Sequence, residues 1–462
     1  MNYGDTIAAI STPLGAGGIG IVRLSGPQAR QILGKIFRRR GADGSFSSHQ
    51  FYLGEVLRPQ DPAGGGVIDE VLAVFMEKPR TYTREDVVEI QAHSGILILQ
   101  EILNAVLQSG ARLAEPGEFT QRAFLNGRID LTQAEAVIDL IQSKTRKSLE
   151  LANLQRQGRL GTEVRQIRDG LMDLLAGMEA GIDFPEDEVF ELSGENIKLR
   201  LQGALDRLNS LLRTYEQGKV FREGVSAVIV GRPNVGKSSL LNALLREERA
   251  IVTPIPGTTR DIIEEGLNVR GILLRLMDTA GLRQTKDEVE VEGVRRTRDR
   301  LAQADLVIWV VDGSESFTPD DRDILTEVRD KRAVVAINKN DLPQRVDLQD
   351  LAGELPGVPL IPVSALHHLR IDALEDAIRD RVLNGTPESS SEILLSNLRH
   401  KQALERAREG LERVLEANRR NLSPEFLSMD LGAALQSLGE IVGETTSEDL
   451  LERIFSQFCI GK

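Results

Sequence analysis

The run Val225-Ser-Ala-Val-Ile-Val230 leads straight into Gly231-Arg-Pro-Asn-Val-Gly-Lys-Ser238. The second segment matches G-x-x-x-x-G-K-S. Its glycines let the chain curl so that backbone N–H groups and the start of the following helix face one point, which suits a phosphate. Such a strand–loop–helix unit needs a sheet around it. From 221 to about 384 the sequence supplies one, with strands expected at Val225–Val230, Leu273–Met277, Leu306–Val311, Val334–Ile337 and Leu360–Val363 and helical spacing between them. That alternation predicts a mostly parallel α/β sheet covered on both faces.

The loops after these strands carry the chemistry. In the phosphate loop (Asn234, Val235, Gly236, Lys237, Ser238, Ser239), Lys237 is expected to reach the β- and γ-phosphates and the Ser238 hydroxyl to ligate Mg²⁺. Asp278-Thr279-Ala280-Gly281 follows the second strand. Its carboxylate suits the Mg²⁺ water shell, and the Gly281 N–H suits the γ-phosphate. Asn338-Lys339-Asn340-Asp341 follows the fourth strand. Asp341 can accept from guanine N1–H and the exocyclic amine together, a donor pair that adenine lacks. Ser364 and Ala365 suit a backbone contact to the base. The four motifs, in this order at strand ends, predict a guanine-nucleotide domain.

Two departures refine the expectation. The residue after D-x-x-G, which in Ras-type GTPases is a water-positioning glutamine, is here Leu282, and Asp287-Glu-Val-Glu290 is the nearest polar stretch that could replace it. Those carboxylates read equally as a solvated helix start. Asn234, with the loop Arg249–Asp261, has the amide and carbonyl oxygens to bind a monovalent cation beside the phosphates; the alternative is that Asn234 only shapes the loop.

Outside this domain the patterning changes. Residues 1–118 hold short apolar runs (Ile7–Ile10, Gly20–Leu24, Val71–Phe75, Val87–Ile90) and one helical stretch, Ile96–Leu107, so a small α+β domain is expected. Residues 119–220 turn helical: Leu160, Val164, Ile167, Leu171, Leu174 and Met178 share one face, as do Leu201, Leu205, Leu208 and Leu212, with a break at Phe184–Glu188. Helical spacing returns over 385–462, at Leu431, Leu435, Leu438 and Ile441. Two helical stretches flanking an α/β unit predict a discontinuous helical domain, parts 119–220 and 385–462, with the α/β domain (221–384) inserted. The chain has 462 residues, net charge −13 and 41% hydrophobic content, enough for several cores; the acidic balance gives no global sign of nucleic-acid binding. No apolar run reaches the ~18 residues of a membrane span, no secretory signal is visible, and the single cysteine, Cys459, allows no internal disulfide, which fits a reducing, cytoplasmic location.

Gly231–Ser239, Gly257-Thr-Thr-Arg-Asp261 and Asp278–Arg283 resemble the G domain of the MnmE (TrmE) family of tRNA-modification GTPases. The more specific pieces lie elsewhere: Pro116-Gly-Glu-Phe119, Arg122-Ala-Phe-Leu-Asn126, Ile182-Asp-Phe-Pro185 and the terminal Phe458-Cys-Ile-Gly-Lys462. The resemblance covers the whole chain. It implies an N-terminal folate-binding and dimerising domain, a discontinuous helical domain and an inserted G domain. It implies potassium-stimulated GTP hydrolysis, with K⁺ on Asn234, Thr253, Ile255 and Thr258, and Mg²⁺ on Ser238 and Thr259. The nucleotide loop is then Thr253, Pro254, Ile255, Pro256, Gly257, Thr258 and Thr259, and the water-orienting carboxylate is Glu290. A one-carbon tetrahydrofolate (5-formyl- or methylene-) is implied on Arg23, Glu89, Arg128 and Lys462, although Arg23 and Arg128 taken alone read as surface arginines. The implied partners are a second copy, through the N-terminal domain, the flavoprotein MnmG in a heterotetramer, and tRNA, whose wobble uridine receives a carboxymethylaminomethyl or aminomethyl group at C5. Cys459 reads as a reactive thiolate near the folate or as a packed free cysteine.

Other features read as decoys. Gly15–Gly20 fits G-x-G-x-x-G but precedes a strand rather than a helix, so a loop is expected. Cys459 sits where a prenylated cysteine would, yet the last residue is Lys462, Gly461 is not aliphatic and no polybasic run precedes it, so lipidation is not expected. Lys35 with Arg38–Arg40 reads as a solvated basic face. Rival readings are a ribosome-assembly GTPase of the Era or Der kind and a folate-binding scaffold with a vestigial G domain. Neither a duplicated G domain nor an RNA-binding C-terminal module is visible, and Lys237, Ser238 and Asp341 are intact.

Overall fold

The computed structural model describes residues 4–15, 17–41, 45–59, 66–183, 193–247, 265–277, 301–385 and 393–462. The chain divides into two units, one of Met1–Ile138, Gly161–Arg165 and Gly439–Lys462, the other of Asp139–Leu160 and Gln166–Leu438.

The first unit is built on seven strands: β1 (Ile7–Ile10), β2 (Gly17–Ser25), β3 (Phe37–Arg39), β4 (Gln50–Leu57), β5 (Val67–Met76), β6 (Val87–Ser94) and β7 (Arg112–Leu113). Their order is β3-β4-β5-β6-β2-β1-β7, antiparallel except for β1–β7. Helices Ala29–Ile36 and Ile96–Gln108 cover one face, burying Ile32, Leu33, Leu99 and Ile102 with Val22, Leu24 and Ile90. Alternation then turns Arg23, Glu89, Phe51, Leu53 and Leu72 to the other face. Phe51 is 53% exposed and Leu53 43% exposed.

The expected Gly15–Gly20 loop is corrected here. Gly17–Gly20 belong to β2, where Gly17 pairs with Ser94 and Gly20 with Ala92 across a register irregularity. Gly20 is bare because a Cβ there would stand 2.6 Å from Leu99 Cδ1. The basic cluster near Lys35 is paired on the surface: Arg38 with Glu55, Arg40 with Glu70, and Lys35 Nζ to Ser109 O at 3.1 Å.

The second unit holds β8 (Val225–Val230), β9 (Glu265–Val269), β10 (Ile272–Leu276), β11 (Leu306–Asp312), β12 (Ala333–Asn338) and β13 (Leu360–Pro362), in the order β13-β12-β11-β8-β10-β9. All pairs are parallel except β9–β10. The five expected strands form; β9 is an additional antiparallel edge. Every residue of β11 and β12 is buried, which is why both read as unbroken apolar runs. Helices Gly194–Arg213 and Leu398–Arg419 pack along one another, with Leu201, Leu205 and Leu208 buried on the first and Leu404, Leu411 and Val414 on the second. Asn418 Nδ2 donates to Gly194 O at 2.9 Å at one end of this pair. The predicted stripes Leu160–Met178 and Leu431–Ile441 are buried on helices Arg159–Asp183 and Pro424–Val442. The expected break at Phe184–Glu188 lies outside the described residues.

Candidate functional site

The phosphate loop leaves β8 at Val230 and enters helix Lys237–Glu247. Its backbone explains two of its residue types. Gly231 has φ +151° and a Cβ there would strike the Val310 carbonyl; Gly236 has φ +97° and a Cβ there would run into the Asn338 amide. Asn234 sits at φ +62°, a region Asn tolerates better than most residues. Lys237 is half-buried and donates from Nζ to Gly231 O at 2.8 Å and Arg232 O at 2.7 Å. Burial pulls its pKa below the ordinary lysine value. Phosphate oxygens would compete for this ammonium against neutral carbonyls, an exchange that charge favours. Ser238 and Ser239 are exposed at the start of the helix.

Asn338, at the end of β12 and 3% exposed, ties three loops together. Its Nδ2 donates to Val235 O at 2.8 Å and its Oδ1 accepts from Ala365 N at 3.0 Å. Asp341 accepts from Ser364 Oγ at 2.6 Å, and His367 Nε2 stands 3.8 Å from its other oxygen. The Ser364 bond, more than any other influence, holds the Asp341 carboxyl below the usual carboxylate range. It is thus an ionised acceptor at neutral pH, as the guanine reading needs. Lys339, at φ +60°, pairs with Asp312 Oδ2 at 2.5 Å. Burial would raise the Asp312 carboxyl, but Lys339 and Ser314 more than offset it and keep it low. Sequence reasoning missed Asp312. A lone carboxylate closing the apolar strand Leu306–Asp312 was the available signal.

The structure therefore brings Val235, Gly236, Lys237, Asn338, Lys339, Asp341, Ser364 and Ala365 to one edge of the sheet. Thr253, Pro254, Ile255, Pro256, Gly257, Thr258, Thr259, Asp278, Thr279, Ala280, Gly281 and Glu290, together with Leu282, lie outside the described residues.

A second cluster lies in the first unit. Arg23 and Glu89 face each other across β2 and β6, with Nε to Oε1 at 2.8 Å. Arg23 Nη1 also donates to Gly461 O at 3.3 Å, so the C-terminal run lies against this pair. Pro116 forms an antiparallel bridge with Ile460, and Phe119 N donates to Lys462 O at 3.2 Å. Gly461, at φ +92°, is needed because a Cβ would press on Ile10 O. The two sequence-specific segments, Pro116–Phe119 and Phe458–Lys462, are thus one structural object. Arg128 is exposed and lies over the Tyr82 ring, 4.9 Å from its centroid. Cys459 is exposed, so the reading of it as a packed cysteine is corrected: its backbone carbonyl is engaged by Gly117 N, while its side chain faces outward.

Beneath this cluster is an ionic network that the sequence did not reveal. Arg122 is 2% exposed and bonds Asp5 Oδ1 at 2.6 Å, Glu118 Oε1 at 2.9 Å and Glu85 Oε1 at 3.3 Å. Arg112 bonds both Glu118 and Asp5 at 2.7 Å. These contacts fix helix Glu118–Leu125, which carries Phe119, over whose ring Arg23 lies at 5.8 Å.

Comparison with known proteins places the chain. A family model described as the MnmE helical domain matches residues 131–459, and one described as the N-terminus of the GTP-binding protein TrmE matches residues 6–128. The tRNA modification GTPase MnmE of Geobacter metallireducens is 52% identical over 464 residues, covering 100% of each chain. That of Natranaerobius thermophilus is 46% identical over 458 residues, covering 99% of each. Among solved structures, an Aquifex aeolicus Era variant bound to GDP and aluminium fluoride is 27% identical over 40% of this chain and 66% of that one, with a TM-score of 0.27, too low to carry an argument. With matching models on both sides and full-length relatives near half identity, the chain belongs to the MnmE (TrmE) family of GTP-hydrolysing tRNA-modification enzymes.

Proposed function

We propose that this chain hydrolyses GTP to drive modification of the wobble uridine of tRNA at C5, adding a carboxymethylaminomethyl or aminomethyl group together with the flavoprotein MnmG. The observation that carries the nucleotide half is the junction at Asn338, which holds the phosphate loop and the base loop at a fixed separation. Lys237 supplies positive charge to the β- and γ-phosphates, Ser238 with Thr259 holds Mg²⁺, and the Asp341 carboxylate selects guanine. Asn234, Thr253, Ile255 and Thr258 would hold K⁺, which would supply the transition-state charge that an arginine finger gives in other GTPases. Glu290 orients the attacking water.

In the same reading, residues 1–118 bind a 5-formyl- or methylene-tetrahydrofolate and form the homodimer, 119–220 and 385–462 form the helical domain, and 221–384 the G domain. The folate supplies a one-carbon unit. Arg23, Arg128 and Lys462 offer cations for its anionic tail and Glu89 a carboxylate for the pterin's donors, a donor set that fits the ligand. The exposed apolar residues of β4 and β5, Leu53 beside Leu72 with Phe51 further along β4, support self-association. Among the described residues no helix is long and apolar enough to cross a membrane, which is compatible with cytoplasmic tRNA.

The test is a knockout followed by mass spectrometry of bulk tRNA nucleosides. Loss of the modified wobble uridine is expected. Unchanged nucleosides with accumulating ribosome precursors would establish the Era- or Der-like alternative instead.

A further inference from the structure

The second unit contains a cleft of about 520 Å³ whose lining includes none of the described nucleotide-site residues. Its wall comes from separate stretches: Asp139 and Lys144, helix Arg146–Arg156, Phe221–Glu223, β10 and Ser396. Two of its buried polar atoms have no hydrogen-bond partner among the described residues. Ser396 is 2% exposed and its Oγ makes no hydrogen bond; the Nε of Arg275 is also buried and unbonded. Buried donors are nearly always satisfied, so two orphans on one cleft point to an acceptor that enters it. Their placement is firm. Leu395 N donates to Thr214 Oγ1 at 2.9 Å, and Gly218 packs on the Leu395 backbone, which fixes Ser396. Arg275 lies in β10, paired with Ser226 on β8 and Gly266 on β9.

The charges give the sign of the ligand. Arg222 is answered by Asp139 at 2.9 Å and Glu223 at 3.6 Å. Asp305 lies near enough to feel Arg275, but its carboxylate is bonded to Ser226 N at 2.9 Å and Ser226 Oγ at 2.6 Å. Among the described residues of the wall, Arg275 and Lys144 are then the cations without a carboxylate to pair with. We propose that this cleft binds a small phosphate-bearing anion, with Arg275 and Ser396 donating to its oxygens and Lys144 adding charge. A tetrahedral dianion offers acceptors in several directions, matching donors that arrive from a strand and a loop; a planar monocarboxylate matches fewer of them. The proposal does not depend on the nucleotide assignment.

The test is titration of inorganic phosphate into the full-length protein saturated with GDP and Mg²⁺, so that the phosphate loop is already occupied, read by ³¹P line broadening and calorimetry. Saturable binding is expected, weakened about tenfold or more by Arg275→Ala and several-fold by Ser396→Ala, with acetate a poor competitor. Ser396→Ala removes one oxygen only, so it stays informative if Arg275→Ala disturbs the sheet. Absence of saturable binding in the wild type, binding unchanged in Ser396→Ala and a folded Arg275→Ala, or acetate binding as well as phosphate would overturn the proposal.

Discussion

The side-chain amide of Asn338 donates to the backbone carbonyl of Val235, 103 residues earlier, at 2.8 Å, while its oxygen accepts from Ala365 N at 3.0 Å. One buried side chain thus sets the gap between the loop that cradles phosphates and the loop that meets the base. Asn338→Ala removes both bonds and leaves two backbone groups orphaned. At roughly 1–3 kcal/mol for each orphaned group, about 2–6 kcal/mol in all, GDP and GTP affinity should fall at least about 30-fold. Fluorescent-nucleotide titration measures this. Unchanged affinity would show that the loops hold their spacing without Asn338.

Asp341 gives a base-specificity prediction. Asp341→Asn replaces an ionised acceptor with a neutral amide that keeps one acceptor and gains a donor. GTP affinity should fall about 100-fold, because charge-assisted bonds are worth roughly 1.5–3 kcal/mol. Xanthosine triphosphate, whose 2-oxo group accepts where guanine donates, should then bind better than GTP. If the variant keeps its preference for GTP, Asp341 does not read the base.

Asn234 separates two roles for one side chain. At φ +62° its backbone is one that glycine adopts freely. Asn234→Gly therefore keeps the loop shape and deletes only the amide. If that amide ligates K⁺, the variant should bind GTP normally yet lose about 100-fold in hydrolysis in potassium, falling to its rate in sodium. Retained K⁺ stimulation would leave Asn234 as a shaping residue.

How far the sequence disclosed all this depended on distance along the chain. Strands β8, β11 and β12 were legible because both faces of a parallel sheet are buried and the residues say so in sequence. β9 was not: Glu265-Gly-Leu-Asn-Val269 alternates, placing Leu267 and Val269 in the core. The P-loop was legible as a local pattern, whereas the bonds of Asn338 and the pairing of Lys339 with Asp312 join residues far apart in sequence. Arg112, Arg122, Asp5, Glu85 and Glu118 read individually as surface charges. Only folding brings them together, with Arg122 reaching back 117 residues to Asp5. The exposure of Cys459 follows from the pairing of its neighbour Ile460 with Pro116, which a terminal tetrapeptide alone does not reveal.

The C-terminal run makes a prediction confined to the first unit. A Cβ on Gly461 would stand 2.6 Å from Ile10 O and 2.9 Å from Ser11 Cα, at a φ that alanine adopts poorly. Gly461→Ala should lift the tail and free Arg23 from the Gly461 carbonyl. Tetrahydrofolate binding, followed by calorimetry, and wobble-uridine modification should both fall at least about tenfold, while GTP turnover stays at the wild-type rate. Normal folate affinity would separate the tail from that site.

The buried ionic network predicts how stability responds to acid. Burial pushes the Glu118 carboxyl upward, but its bonds from Arg112, Glu115 N and Arg122 more than reverse this, so its folded pKa lies below the unfolded value; Asp5 behaves alike. A carboxyl depressed on folding stabilises fully above its unfolded pKa, about 4.3 for Glu, and the contribution disappears as pH falls through the folded pKa. Glu118→Gln should therefore melt at lower temperature than the wild type by a constant margin from pH 7 to about 5, and the margin should shrink below about pH 4 as the wild type loses the same charge. Arg122→Ala should cost about 3–5 kcal/mol, because it leaves three carboxylates without their shared cation. Melting of the first unit followed by circular dichroism across pH measures both. A margin between wild type and Glu118→Gln that stays constant down to pH 3 would mean that the lost contacts, not the ionisation of Glu118, set the stability.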